Sequence, residues 1–319
     1  MNKKIIIIGC TGQDGSYLTK SLLKKGFEPI GISRSNKPNT TNHERIGIKY
    51  QSKIIRINRY STNDLVKLIE KYKPIEIYNL SAQSSVGLSL IKPEETFRSI
   101  VDTTRALLEA ARKTQFSGKL FFAGSSEIFG ETRAPATIKT KTRPCSPYGL
   151  AKLHSKNLVE IYRDLYAIQA ITGILFNHES PLRGENFVTQ RIIEGAINCG
   201  RGKQKELVLG NLNIKRDWGW AEDFIEAMQL ITRAKDLNDH VICTGKSTSL
   251  KSFVIKVFQH LDLDYKNYVV TDPRLYRKRD IKNSLGNPNS MKEKLNWSAK
   301  NTLIDKIDCL IESKLKSGK

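Results

Sequence analysis

The stretch KIIIIGCTGQDGSYL, residues 4–18, decides the fold. Its apolar run is only about five residues long, which is too short for a secretory leader even with lysines before it. It leads into glycines and a helical pattern, so it reads as a buried first strand. Gly9, Gly12 and Gly15 stand in G-x-x-G-x-x-G spacing between that strand and the helix after it. Glycine there permits a tight turn and lets a pyrophosphate approach the backbone at the positive end of a helix. A strand before and an amphipathic helix after are the context in which such a motif means a dinucleotide site. A plain strand–helix turn is the alternative.

Outward from this segment, strand-like runs alternate with helical patterns over the first two-thirds of the chain. That alternation predicts a doubly wound parallel α/β sheet covered by helices, of Rossmann type, with a smaller C-terminal lobe. The expected strands are residues 4–9, 28–33, 53–57, 76–80, 119–123 and 168–175. The expected helices are 16–25, 63–71, a long one over 93–112, 148–166 and an amphipathic one over 301–315. Residues 36–44, NKPNTTNHE, have no periodicity and read as a loop. Residues 1–175, with a return segment at about 217–246, are expected to form the dinucleotide-binding domain. Residues 176–216 and 247–319 are expected to form the substrate lobe.

With 319 residues, 39% hydrophobic and 27% charged, the composition suits a soluble globular protein. No apolar run approaches the roughly 20 residues that span a bilayer, so no membrane partner and a cytoplasmic location are expected. Five cysteines without a C-x-x-C pair argue against a disulfide framework and a zinc site, and the histidines show no ligand spacing. No metal is expected. Net charge is +21, from 53 Lys+Arg against 32 Asp+Glu. The lysines are dispersed and not interleaved with aromatics, which excludes a nucleic-acid module and leaves a field that favours anionic ligands.

Two later segments carry chemistry. FFAGSSEIFG supplies Ser125 and Glu127 just after an apolar strand, and SPYGLAK supplies Tyr148 and Lys152. A tyrosine four residues before a lysine puts both on one helix face, where the ammonium favours the ionised phenol. A phenolate beside a nicotinamide takes a hydroxyl proton while hydride leaves the same carbon. That spacing alone recurs on solvated helices; joined to the glycine turn and the Ser/Glu pair, it describes an active site. A plain dehydrogenase needs no carboxylate there, so Glu127 discriminates. Strand two ends in Ser33-Arg34 with no acid at its tip, and an arginine there suits the 2′-phosphate of NADP. His178 and Arg183 follow strand six, on the side where such sheets bind ligands.

The blocks GCTGQDGSYL, EIYNLSAQSSV, GSSEIFG, SPYGLAK, ILFNHESPLRGENFVTQRI, LGNLNIKRDWGWAEDF and KLNW carry a resemblance over nearly the whole length. Through them the chain resembles the GDP-mannose 4,6-dehydratases, a branch of the extended short-chain dehydrogenase/reductases. GQDGSYL, FNHESP-x-RG and LGNL-x-x-KRDWG belong to that branch; epimerases and reductases share only the glycine turn and Y-x-x-x-K. The resemblance implies that Ser125, Glu127, Tyr148 and Lys152 are catalytic. It puts Gly12, Gln13, Asp14, Gly15, Arg34, Asn58, Leu80, Ala82, Gln83, Ser84, His178 and Arg183 at NADP-contacting positions, with Gly9 in the same turn. It puts Asn177, Val188, Arg191, Arg216, Arg277 and Asp280, with Ser84, Ser125 and Glu127, where the family holds a GDP-sugar. Ser125 stands at a usual threonine, Ser85 and Trp220 at usual histidines, Leu182 at a usual arginine, and Asp280 at a usual glutamate. Residues 36–44 match the family poorly, in the segment that links its subunits.

The activity implied is internal oxidation, loss of water and reduction on GDP-mannose with NADP, in a homodimer or homotetramer. A dehydratase of another nucleotide sugar, such as a GDP-heptose, is the near alternative. A nucleotide-sugar 4-epimerase would not need Glu127, and a silent binding protein on this fold would not need Tyr148.

Overall fold

Ile5, Ile7 and Ile8 are 0% exposed and Ile6 is 2% exposed, and a strand buried on both faces belongs in the middle of a parallel sheet. The computed structural model, which describes residues 3–35, 37–57, 60–277 and 279–317, puts it there. In chain order the first half holds β1 (Lys4–Ile8), α1 (Gln13–Lys24), β2 (Glu28–Ser33), α2 (Thr41–Arg45), β3 (Lys53–Arg56), α3 (Thr62–Tyr72) and β4 (Glu76–Asn79). There follow α4 (Val86–Ile91), α5 (Pro93–Phe97), α6 (Thr103–Lys113), β5 (Lys119–Ala123), α7 (Pro147–Tyr166) and β6 (Ala170–Leu175). The remainder is β7 (Asn177–Glu179), α8 (Val188–Gly200), β8 (Leu207–Leu209), β9 (Lys215–Trp220), α9 (Ala221–Arg233) and β10 (His240–Ile242). It ends with β11 (Ser247–Ser249), α10 (Leu250–His260), β12 (Val269–Thr271), β13 (Asn283–Ser284), α11 (Asn289–Leu295) and α12 (Ile307–Ser317).

Seven strands run in the order β10-β6-β5-β4-β1-β2-β3, and every neighbouring pair is parallel. The expected Rossmann-type sheet is therefore present. The order reverses at β1, with β2 on one side and β4 on the other, and ligands bind such sheets outside the carboxyl ends at that switch. Gly9, Leu80, Ser125 and Asn177 all lie just past strand ends on this edge. A second core is built from α8, β8, β9, α10 and α12 around Ile193, Trp218, Phe253, Phe258 and Leu310. There β9 pairs with β7, β11 and β13. No helix among the described residues is long and apolar enough to cross a membrane.

The differences from expectation are local. α1 begins at Gln13, three residues early, because Gly15 lets its first turn press onto the strand end: a Cβ there would meet Gly9 O at 2.2 Å. The expected loop 36–44 contains the start of α2, a helix too short to show periodicity. Asn36 itself lies outside the described residues. The long helix over 93–112 is interrupted by a π turn at Arg98–Asp102, a one-residue excess that leaves no sequence sign. Strand six starts at Ala170 because Ala167 takes a left-handed turn, φ 53°. The last helix starts at Ile307; before it Asp305 accepts from Thr302 N at 2.8 Å and Thr302 Oγ1 at 2.7 Å.

Asp217 on β9 fastens the second layer to the main sheet. Its carboxylate accepts from Thr244 N and Oγ1 at 2.9 and 2.7 Å, Gly245 N at 2.9 Å and Gly286 N at 3.4 Å. Asp217→Ala strands buried N–H groups, so it should lower stability by about 3 kcal/mol in urea unfolding followed by fluorescence. An unchanged midpoint would remove this role.

Candidate active site

α7 brings the Tyr/Lys pair to the sheet. Ser146 caps the helix by accepting from Gly149 N at 3.1 Å, and Pro147 fills the first turn. One turn apart, Tyr148 and Lys152 face inward. Lys152 is 3% exposed, and its Nζ donates to Ala123 O at 2.6 Å at the end of β5. The ammonium lies 5.8 Å from the Tyr148 ring centroid. Burial drives the Lys152 pKa down to about 8, against the pull of the Asp14 charge. Burial likewise pushes the Tyr148 phenol up to about 12, opposed by a hydrogen bond with Ser125 and reinforced by the Glu127 charge. Burial thus outweighs the acidification expected of the tyrosine.

β5 ends at Ala123, and the chain turns so that Ser125 Oγ accepts from Glu127 N at 3.3 Å. Gly149 makes this close approach possible, since a Cβ there would come 2.7 Å from Glu127 O. Burial raises the Glu127 pKa above the usual carboxylate range; the Arg216 and Arg277 charges pull it down and Asp280 pushes it up. A carboxyl raised in this way gives up its proton less readily than a solvated one. Arg216 is committed to its surroundings, donating from Nη1 to Ile281 O at 2.6 Å and Lys215 O at 2.9 Å. Its Nη2 points to Asp280 Oδ1 at 3.4 Å. Burial lowers its pKa, and the charges of Glu127 and Asp280 oppose that.

At the other end, Asp14 in the first turn of α1 accepts from His178 Nε2 at 3.0 and 3.1 Å. Burial would raise the Asp14 carboxyl, but the His178 charge and hydrogen bonds override it and hold it at about 2. The same partnership outweighs burial at His178 and raises its pKa. Both ring nitrogens of His178 face acceptors, Nδ1 meeting Phe176 O at 2.8 Å, and the ring stacks on Phe224 with centroids 4.5 Å apart. Gln13 closes the network, donating to His178 O at 3.3 Å and accepting from Ser180 Oγ at 2.8 Å. Gln13 and His178 are therefore engaged by the chain itself. Gly12 is different: at φ −70° a Cβ would meet only Gly9 O, at 3.5 Å. Neither conformation nor packing demands glycine there, which fits a ligand seated against the turn.

A cavity of about 380 Å³ joins the two ends. It is lined by all four of Ser125, Glu127, Tyr148 and Lys152, and by Asp14, Leu80, Ala82, Ser84, His178 and Arg183. Asn177, Val188, Arg191, Arg216, Arg277 and Asp280 line it too. A neighbouring cavity of about 590 Å³ shares Glu127, Arg216, Arg277 and Asp280. Arg183 Nε is buried without a hydrogen bond, 3.5 Å from Glu179 Oε2, and its guanidinium lies 3.6 Å from the Phe187 ring centroid. Gln83 turns away from the cavity, bonding Ser85 O at 3.0 Å and Thr96 Oγ1 at 2.9 Å. Arg34 is exposed at the end of β2, its guanidinium 5.5 Å from the Tyr60 ring centroid. Asn58 lies outside the described residues. Sequence reasoning missed Asn186, Phe187, Asn211, Trp218 and Leu275 on the cavity wall; the first four lie inside the motif blocks, so the blocks themselves were the available signal.

The depressed Lys152 pKa has a sign that can be measured. Below about pH 8 the amine is charged folded and unfolded, so its buried charge weakens the fold. Between about 8 and the unfolded value near 10.4 the native state sheds the proton first, and stability recovers. Lys152→Met should therefore gain stability relative to the parent at pH 7, with the difference shrinking by pH 10 in urea titrations. A difference independent of pH would contradict the depressed value.

The family model for GDP-mannose 4,6 dehydratase matches residues 6–308. GDP-mannose 4,6 dehydratase 1 of Arabidopsis thaliana is 37% identical over 328 residues, covering 99% of this chain and 91% of its own. The human GDP-mannose 4,6 dehydratase is 38% identical over 319 residues, covering 92% and 86%. Among solved structures, UDP-glucose 4-epimerase of Thermotoga maritima superposes with a TM-score of 0.87 at 22% identity, covering 99% of this chain and 100% of that one. dTDP-glucose 4,6-dehydratase of Bacillus anthracis, solved in complex with NAD, gives 0.84 at 19% identity, covering 98% and 96%. These structural likenesses speak for the fold alone. The family match and the sequence identities go further: the chain belongs to the GDP-mannose 4,6 dehydratase family.

Proposed function

We propose that this protein is an NADP-dependent hydro-lyase that converts GDP-mannose into GDP-4-keto-6-deoxymannose. The observation that carries the reading is a carboxyl of raised pKa, Glu127, facing the same cavity as Tyr148 and Lys152. Family membership supports the sugar, and the glycine turn with its open space at Gly12 supports the dinucleotide. Bound NADP supplies a reversible hydride acceptor. Tyr148 takes the proton of the C4 hydroxyl, with the Lys152 charge favouring the phenolate, and Ser125 bonds the same oxygen as it becomes a carbonyl. The C4 carbonyl acidifies the C5 hydrogen. Glu127 would remove that proton and deliver one to the departing C6 hydroxyl, so that its charge is restored and water leaves. The hydride taken from C4 then returns to C6, and the proton held by Tyr148 goes back to C5, so that the phenolate and the cofactor both end as they began.

Arg191 and Arg277 are the guanidinium groups that suit the diphosphate, since their forks pair bidentately with it. Residues 1–175 with about 217–246 would hold the dinucleotide, and 176–216 with 247–319 the nucleotide sugar. The absence of an acid at the tip of β2, with Arg34 stacked there, supports NADP over NAD. Exposed Leu150, Ile161 and Leu165 on α7, with Leu90 and Ile91 on α4, support a homo-oligomer. Five free cysteines accord with a cytoplasmic setting.

Incubation with GDP-mannose and catalytic NADP+ should give a product lighter by one water. Glu127→Gln should slow water loss at least about a hundredfold while hydride transfer from C4 persists; dehydration at the parent rate would overturn the assignment. Arg34→Ala should weaken NADP about tenfold and leave NAD unchanged in calorimetric titration, and equal losses would count against the NADP preference.

A further inference from the structure

A turn can aim its N–H groups at a phosphate only if its carbonyls are held facing the other way. Between β1 and α1 those carbonyls belong to Cys10 and Thr11, and both are gathered by α2. Asn42 Nδ2 donates to Thr11 O at 3.1 Å. His43 Nε2 lies 2.9 Å from Cys10 O. A carbonyl only accepts, so Nε2 carries the hydrogen, while Nδ1 lies 3.4 Å from the Ser52 hydroxyl. Ser16 Oγ adds a second, longer bond to Cys10 O at 3.4 Å. His43 is 0% exposed. An imidazole buried only to fill space would be replaced by an apolar side chain at lower cost in desolvation, so its two directed polar contacts are the reason for it.

We propose that His43, helped by Asn42, is a positioning residue that sets the peptide planes of the Cys10–Gly12 turn and thereby the affinity for the dinucleotide. This rests on the reading of the glycine turn as the dinucleotide site. The peptide joining Thr11 to Gly12 has no side chain on one flank to resist rotation, so restraint must come from outside the turn. α2 supplies it. The helix is tethered in turn by Arg45 Nη2, which donates to Ser313 Oγ on α12 at 3.1 Å. The segment that follows β2 thus folds back on the glycine turn of its own chain.

Calorimetric titration of the purified protein with NADP, and separately with GDP, tests this in the parent, His43→Leu, His43→Gln and Asn42→Ala. His43→Leu should weaken NADP about tenfold and leave GDP within about twofold. His43→Gln keeps an N–H near the Nε2 position and should recover most of the loss. Asn42→Ala, at a half-buried position, should weaken NADP by a few-fold and carries the test if His43→Leu fails to fold. NADP affinity unchanged in Asn42→Ala and His43→Leu, glutamine no better than leucine, or NADP and GDP weakening together would each overturn the role. A parent that binds neither NADP nor NAD removes the reading of the turn, and the inference with it. A parent that binds while the variants behave alike removes the inference alone.

Discussion

A lysine amine 2.6 Å from the Ala123 carbonyl, sealed beneath the carboxyl edge of the sheet, is the constraint on which the rest depends. A buried ammonium is tolerated only where fixed dipoles replace water. Here the Ala123 carbonyl supplies one, because α7 docks against the end of β5, where Gly149 and Ala151 are small enough to let it. Once docked, the helix sets the Tyr148 hydroxyl beside Ser125 and packs its first turn on Glu127. Ser125, Glu127, Tyr148 and Lys152 are thus brought to one cavity by that docking.

Two acids in the same cavity are driven in opposite directions. Asp14 shares its charge with a paired imidazolium and is held at about 2. Glu127 is raised by burial more than the arginines can lower it. The first is a fixed anion that ties α1 to β7, while the second sits where the neutral form is favoured. Asp14 also sustains the Lys152 charge, so the Asp14–His178 pair at one end of the cavity reaches Lys152 at the other through space.

β2 and β5 were legible residue for residue, because each is an apolar run closed by a polar or small residue. The Tyr/Lys pair was legible because its geometry is set within one helix. What sequence hides is contact between distant segments. Nothing in residues 36–44 announces that His43 reaches Cys10 O, or that Asn42 reaches Thr11 O, since α2 is too short for a pattern. The π turn at Arg98–Asp102 is equally silent, being an excess of one residue in an otherwise regular helix. The acid–arginine arrangement around Glu127 joins β9 and the approach to β13 to the end of β5, which no local spacing encodes.

The placement of β10 has a consequence for biosynthesis. It pairs with β6 through His240↔Gly173 and Ile242↔Leu175, although many residues and a separate layer intervene. While the ribosome is still emitting that stretch, the nascent sheet presents the β6 rim as an open row of donors and acceptors, the sort of edge that recruits other chains. A message truncated before residue 240 would leave that rim bare permanently, so aggregation is its natural fate.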